Sequence, residues 1–476
     1  MKNYLLVALN AKYSHTSLSV RSINAYVKNK LNIDIPYLEL TINNEYFYIL
    51  NEILKSKPDV VGFSCYIWNI ELIKSLVKDI KSINPEIEIF LGGPEVTYNE
   101  NVFFEIPEAD FVIKGEGEIP LYKLLKGEKD IEGVWYKDKE TGFAVMEDLD
   151  KLPFPYTEEE LLNLKNRAVY YETSRGCPFK CAFCISSLTK GVRVLPLERV
   201  YKEIDMFIKA GITRVKLVDR TFNFDKERAK KIILYILRNS ENTCFHFEIG
   251  ADLLDKELID IILSAKKDII QLEAGIQSTN EETLSLCNRT TDMKKLKDNL
   301  IALTDAEIRI HLDLIAGLPG EDYESFKNSF NEAFALKPKV LQVGFLKLLH
   351  GSELRNKKEE YGYSFRNKAP YEVLKNNYIT FDELMEIKKV DKSVDTYNNS
   401  GIFTKTLKYI FENNNIEPFS FFHTLGENMG NDNLSLKSKF LILFSTYNNI
   451  IGEDEELKKI MEEEYKGKNK FQGKLF

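Results

Sequence analysis

Glu172-Thr-Ser-Arg-Gly-Cys177-Pro-Phe-Lys-Cys181-Ala-Phe-Cys184-Ile185 places three cysteines in eight residues, with the spacing C-x3-C-x2-C. That is half of the six cysteines in the chain. Zinc takes four ligands, usually from paired C-x2–4-C units, and here a fourth would have to come from far away, since the five histidines are dispersed. A [4Fe–4S] cube has four irons and usually takes four cysteines, so three thiolates leave one iron open to a substrate or cofactor. Spacing and position favour the cluster. The remaining cysteines, Cys65, Cys244 and Cys287, are scattered and read as small buried hydrophobes.

Around this window runs an α/β pattern. Apolar runs at 169–173, 214–218, 244–249, 269–275, 309–315 and 340–346 alternate with amphipathic stretches at 197–210, 226–237 and 323–335. Six strand–helix repeats predict a partial (β/α)6 TIM-type barrel over 166–360, its mouth at the carboxyl ends of the strands. The cysteines follow the first strand and so fall in a mouth loop. Ahead of it, runs at 4–9, 59–64, 86–91 and 111–113 surround helical patterns such as 70–83. Short continuous apolar runs between amphipathic helices predict a doubly wound, Rossmann-like parallel sheet over 1–140, with ligands bound at the carboxyl strand ends. The stretch 141–165, with Pro153-Phe-Pro155 and Glu158-Glu-Glu160, reads as a linker. From 365 to 476 the pattern is mostly helical, with Asn-rich gaps at 413–415 and 431–433. The charged end, with acidic runs at 453–456 and 462–464 and then Lys466, Lys468 and Lys470, reads as a solvated, fraying terminus.

Net charge −8 argues against nucleic-acid or anionic-membrane partners, which are usually met by a basic excess. The first ten residues hold too short an apolar run for a signal segment, and no later run reaches transmembrane length. A cytoplasmic location is the expectation, where thiols stay reduced and clustered cysteines suggest metal rather than disulfides.

The cluster loop resembles that of the radical S-adenosylmethionine (SAM) superfamily, and other stretches agree. They are Val218-Asp219-Arg-Thr-Phe222-Asn, Leu272-Glu273-Ala-Gly-Ile-Gln277-Ser, Asp313-Leu-Ile-Ala-Gly-Leu-Pro-Gly-Glu321, and Gln342-Val-Gly-Phe-Leu followed by Gly351-Ser-Glu-Leu354. The resemblance covers 168–355. It implies a [4Fe–4S] cluster on Cys177, Cys181 and Cys184, with SAM chelating the open iron. Phe183 would lie by the adenine, Asp219 and Glu273 at the SAM amino or ribose groups, and Gln277 in the same pocket. Many relatives have a second acidic residue where this chain has Arg220. Alone, a strand-end Glu273 or Gln277 is as readily a backbone-bonded polar residue.

In this order before such a barrel, the front domain resembles the cobalamin-binding domain of cobalamin-dependent radical SAM proteins. The residues carrying this are Asn10 with the loop to His15, Ser64-Cys65-Tyr66-Ile-Trp68, Gly92-Gly93-Pro94-Glu95 and Gly115-Glu116-Gly117-Glu118, the glycines permitting close approach to the nucleotide tail. The D-x-H-x-x-G motif that supplies a cobalt-ligating histidine is missing; the first loop reads Asn10-Ala-Lys-Tyr-Ser-His15. The resemblance implies no histidine under cobalt, with Trp68 or Tyr66 as candidates to cover that face.

The implied activity is reductive SAM cleavage to a 5′-deoxyadenosyl radical, fed by an external flavodoxin- or ferredoxin-type donor, and methyl transfer from cobalamin to an unactivated carbon. The alternatives are a radical rearrangement or cyclisation without methylation, an RNA-modifying radical SAM enzyme, and a non-catalytic iron–sulfur scaffold. The helical 365–476 resembles an uncharacterised domain attached to some of these proteins. At the barrel mouth and in these helices His350, His423, Phe419, Phe421 and Phe422 are substrate-side candidates, although an aromatic core of a helical domain is the favoured reading.

Overall fold

The computed structural model describes residues 2–189, 191–430, 434–468 and 475–476. The gap at 431–433 and Lys470 lie outside these residues. The front sheet has strands β1 (Tyr4–Asn10), β2 (Tyr37–Thr41), β3 (Val60–Ser64), β4 (Glu88–Gly92), β5 (Phe111–Ile113) and β6 (Val134–Tyr136), in the order β2-β1-β3-β4-β5-β6. All neighbours are parallel except β5 and β6. The period-2 alternation of side chains splits its core in two. Leu5, Val7, Leu9, Val61 and Phe63 pack on one face, under helices Tyr46–Lys55 and Ile70–Ile83. Leu6, Ala8, Val60 and Phe90 pack on the other, with helices Leu18–Leu31 and Glu118–Leu125. Strand order reverses between β1 and β3, which makes their carboxyl ends, at Asn10 and Ser64, the topological switch point where such sheets bind ligands.

The second sheet has strands β7 (Ala168–Tyr171), β8 (Arg214–Leu217), β9 (Cys244–Ile249), β10 (Ile270–Gln277), β11 (Arg309–Ala316) and β12 (Val340–Phe345), all parallel in sequence order. It does not close, so β7 and β12 are both edges. The loop before the first helix covers the β7 edge: His15 forms a parallel bridge with Ala168, whose N–H donates to Ser14 O at 2.8 Å. Helix Phe381–Val394 and its π-helical continuation Asp395–Asn399 pack on β12, and the Asn399 side-chain amide pairs with both the N–H and C=O of Leu341 at 2.9 Å.

The C-terminal helices share one continuous core with the barrel. Phe419, Phe421 and Phe422 are buried there, with Phe419 and Phe422 against Phe330, so the aromatic-core reading holds.

Two expectations change. The 141–165 stretch is not a free spacer: Leu149, Leu152, Tyr156, Leu161 and Leu164 are buried, and a Thr157 capping box starts helix Glu158–Asn163. The charged end is a helix, Glu455–Lys468, because Leu457, Met461 and Tyr465 recur at i, i+4 and i+8 and bury one stripe. Its Glu464 caps helix Thr404–Asn413, accepting from Lys405 N at 2.8 Å and Thr406 Oγ1 at 2.7 Å.

Arg21 ties the first two segments together. Its guanidinium pairs with Glu39 and with Glu160 (2.7 Å), donates to Tyr37 Oη (2.9 Å), and lies over the rings of Tyr37 and Tyr156. Arg21→Ala leaves the buried Glu39 with the Ser17 N–H and, as its remaining cation among the described residues, Arg167 at 3.8 Å. The expected loss, about 3–5 kcal/mol as for other broken buried pairs, is read from urea unfolding of the full chain.

Candidate functional site

The cluster loop is an excursion whose two ends are pinned together. Ser174–Arg175 pairs antiparallel with Arg193–Val194, and Gly176 and Cys177 follow directly. Within it Cys184 N–H donates to Cys181 O at 3.0 Å, and Ala182 N–H to Cys287 O at 2.9 Å. Cys177 Sγ lies 3.7 Å from Thr221 Oγ1, at the end of β8. Arg289 Nη1 reaches Cys181 Sγ at 3.8 Å while its Nη2 donates to Gly275 O of β10. Burial pushes the Cys181 thiol up; Arg289 pulls it down and the Cys184 and Cys177 thiols push it up again. The three thiols therefore share one electrostatic neighbourhood, with a cation ready for thiolate charge. Cys287 sits in the core beside them, fully buried, its thiol pushed to about 12 by burial. Three thiols on one loop that feel one another's charge, with a guanidinium on Cys181, fit a cluster with one open iron.

The SAM-side candidates divide. Asp219 is 1% exposed and accepts from Thr173 N (2.8 Å), Thr173 Oγ1 and Ser174 Oγ (2.7 Å). Burial still pushes its carboxyl up to about 6. Its oxygens are committed to the segment leading into the cluster loop, which they anchor. Glu273 stands in the barrel lumen, within 2.7 Å of His246 Nε2 and 3.1 Å of Lys216 Nζ. Burial would raise its pKa, but the His246 hydrogen bond, Lys216 and His311 hold it down at about 2. Gln277 ends β10 after a bulge, with φ +70° and a buried Oε1 that has no partner among the described residues. An orphaned acceptor at the mouth fits a ligand that donates hydrogen bonds. Phe183 is partly buried against the barrel core, and Arg220 is exposed.

In the front domain, Asn10 Nδ2 donates to His15 O at 3.2 Å, and Ser64 Oγ meets Ser19 Oγ at 2.9 Å. Tyr66 and Trp68 stack at 4.4 Å, with Trp68 Nε1 held by Leu9 O at 3.1 Å and the indole 44% exposed. This flat aromatic platform beside hydroxyls at the switch point suits a large ring with a polar rim. His15 Nδ1 instead meets Tyr170 Oη at 2.9 Å, while its backbone bridges to β7.

The glycines differ from expectation. Gly93 (φ +107°) and Gly115 (φ +88°) approach their own chain: a Cβ would lie 2.6 Å from Cys65 O and 2.3 Å from Ala144 O. At Gly92 a Cβ would meet only ordinary contacts. Glu116, another cobalamin-side candidate, is fully engaged across the domain interface. It binds Arg175 Nη1 (2.8 Å), Arg193 Nη2 (2.7 Å) and Met146 N (2.8 Å). Although burial opposes it, Arg193 and Arg175 hold its carboxyl below the usual range. Arg175 also binds Glu118 (3.1 Å) and Glu172 (2.8 Å). Sequence reasoning assigned no role to Arg175, Arg193, Arg289, Lys216 or His246. The only signal was their place in a motif or at an inward strand position.

Family models agree with this division. A B12 binding domain matches residues 4–125 and the Radical SAM superfamily matches 171–333. The chain thus carries a radical SAM domain behind a B12-binding domain. Residues 359–472 match a protein family of unknown function, DUF4080. The chain is 26% identical over 355 residues to an uncharacterized methyltransferase of Pyrococcus horikoshii, covering 71% of this chain and 76% of the relative. It is 26% identical over 357 residues to the cobalamin-dependent radical SAM methyltransferase TokK of Streptomyces tokunonensis, covering 64% of this chain but only half (50%) of that protein. Among solved structures, the cobalamin-dependent SAM radical enzyme OxsB, with aqua-cobalamin and SAM bound, shares the fold. The TM-score is 0.69 at 16% identity, over 98% of this chain and 79% of that one. No helix among the described residues is long and apolar enough to cross a membrane.

Two outcomes are expected. Glu116→Gln should raise amide hydrogen exchange across 175–194 by about tenfold or more, the equivalent of ~1.4 kcal/mol, without loss of cobalamin binding. Stability should rise on acidification from pH 8 to 6. Burial pushes Glu95 and Glu321 to about 7, and Asp219 and Asp391 to about 6, whereas unfolded carboxyls titrate near ~4. The folded chain then binds more protons than the unfolded one, so lowering the pH favours it. His350, lowered to about 4 by burial, and His15, also lowered by burial, work in the opposite direction, while His311, raised by Asp313 against its burial, works with the carboxyls. Glu273, held at about 2, contributes stability that is lost only at more acid pH. Thermal midpoints at fixed ionic strength check the sign.

Proposed function

We propose that this protein is a radical SAM methyltransferase that uses cobalamin to methylate an unactivated carbon. The observation that carries it is the facing of two strand-end sites across one interface. The cysteine loop is clamped to the end of β5 through Arg175 and Glu116, and the Asn10–His15 loop is bridged to β7. When bound, the cluster and SAM supply a 5′-deoxyadenosyl radical and cobalamin supplies the methyl group.

The chain's own contribution is positioning and exclusion of water. Cys177, Cys181 and Cys184 hold the cluster, and Arg289 stabilises the Cys181 thiolate. Gln277 Oε1 accepts from SAM, and Phe183 flanks the adenine. Asn10, Ser64 and Gly92 line the cobalamin crevice, with Tyr66 and Trp68 as its apolar floor. His15 is held by Tyr170, so cobalamin in this crevice would not draw its ligand from that side chain. The barrel lumen differs from the layered aliphatic interior of ordinary TIM barrels. Lys216, His246, Glu273, His311 and Asp313 project into it, with His311 Nε2 at 3.2 Å from Asp313. Such a lumen suits a polar substrate. Electrons come from a flavodoxin- or ferredoxin-type donor in the cytoplasm, and the acidic chain, at net charge −8, offers no basic excess for RNA.

Anaerobic reconstitution with cobalamin, followed by reduction in the presence of SAM, tests this. 5′-Deoxyadenosine together with S-adenosylhomocysteine supports methyl transfer; deoxyadenosine without S-adenosylhomocysteine supports rearrangement or cyclisation instead. Cys177→Ala, Cys181→Ala and Cys184→Ala should each abolish deoxyadenosine, and its survival would overturn the assignment.

A further inference from the structure

Beside the outer edge of β12 lies a cavity of about 310 Å³, within the range of small-molecule sites. One wall is the last barrel strand, with Gln342, which pairs in register with the lumen residue Asp313. The other is the helix of the uncharacterised C-terminal domain. Asp391, Asp395 and Asn399 recur there at i, i+4 and i+8 and all line the cavity. Lys347 and Glu372 close one end.

A helix laid on a strand normally buries an apolar stripe. This one buries Leu384, Ile387, Val390 and Val394 in that way, and beside the stripe Asp391 and Asp395 line the cavity. The Glu372 carboxylate is taken by Lys388 at 2.8 Å, and Asn399 is spent on Leu341. No hydrogen bond or ion pair within the described residues engages the side chain of Asp391 or Asp395. Asp391 is half-buried, and burial followed by the charge of Asp395 pushes its carboxyl up. Asp395 lies at the exposed rim beside it, and a half-buried carboxylate with no partner next to a second one favours a positive group in the cavity. The turn that carries Asp395 onto this face is π-helical, a distortion that recurs at functional sites.

We propose that this cleft is a substrate subsite for a protonated amine or related cationic nitrogen group, bound by Asp391 and Asp395, so that the C-terminal domain selects the substrate. This rests on the radical SAM reading and adds a substrate class to it. Gln342 and the neighbouring lumen then receive the rest of the molecule.

Calorimetric titration of the reconstituted full-length holoenzyme tests it, with putrescine as the probe and 1,4-butanediol and succinate as neutral and anionic counterparts. Putrescine should bind at pH 8 and the other two should not. Asp391→Asn and Asp395→Asn should each weaken it by about tenfold or more, the scale of one lost charge-assisted hydrogen bond. Glu427→Gln, in a different carboxylate group beside His423, should leave it unchanged. Affinity should fall as pH drops through the raised pKa of Asp391, which faces Asp395 on its own helix, Lys388, and Glu372 and Lys347 opposite. Asp391→Asn should flatten that dependence. Absence of putrescine binding, equal binding of succinate, unaltered binding in both variants, or displacement by MgCl2 at constant ionic strength would each overturn the proposal. Asp395 is exposed, so its isosteric replacement keeps the test open should Asp391→Asn fail to fold. Deoxyadenosine formation from SAM is measured alongside. Its loss in the unsubstituted protein would defeat the radical SAM reading, whereas its retention with no amine site would defeat only this one.

Discussion

One guanidinium holds the architecture at its most demanding point. Arg175 stands two residues before Cys177, and Nε, Nη1 and Nη2 are all bound by the carboxylates of Glu172, Glu116 and Glu118. Buried ion networks add little net stability, because desolvation offsets the Coulomb gain; what they can add is geometry. The planar fork of arginine fixes direction as well as distance. The loop that holds three sulfurs therefore takes its orientation partly from the end of β5 in another domain. The two domains are positioned as one unit, with Arg193 repeating the contact from the far end of the loop.

The barrel is open on both sides and polar inside. An open six-stranded sheet gives up the closed, layered interior of a complete TIM barrel. The flanking domains replace it: the front loop adds to β7, and the C-terminal helix lies along β12. The common core from Val169 to Phe422 makes the C-terminal helices part of the barrel's wall rather than an appendage. Ionic side chains in the lumen are tolerated because they pair. Glu273 alone gathers His246 and Lys216, and it stays ionised despite its burial.

Much of this was legible in the sequence, because continuous apolar runs and amphipathic helices report burial directly. Helix Ile70–Ile83 and strands β5 and β9 fall where the periodicity puts them. β2 was not seen, since Tyr37-Leu-Glu-Leu-Thr41 is half-exposed at a sheet edge and carries a charge in its middle. β6 has three residues, too few for a pattern. The last helix was masked by its charge, although its buried stripe is regular. Motif residues were harder. A sequence shows that Glu116 and Asp219 end strands, but not whether their oxygens meet a ligand or the chain itself. Glu116 meets an arginine 59 positions away and Asp219 a threonine 46 positions away. Only the fold brings such partners together, and in both cases they hold the cluster loop.

The Asn399 amide on Leu341 also bears on how the open sheet meets other chains. A parallel sheet that stops at six strands leaves two rows of backbone donors and acceptors able to template pairing with another chain. The Ser14–His15 segment blocks one row; the amide, imitating a strand, blocks the other. The same devices that arrange a reaction cleft thus occupy the two edges of an open barrel. The middle domain cut free of its neighbours would carry two adhesive margins and polymerise before it had any opportunity to react.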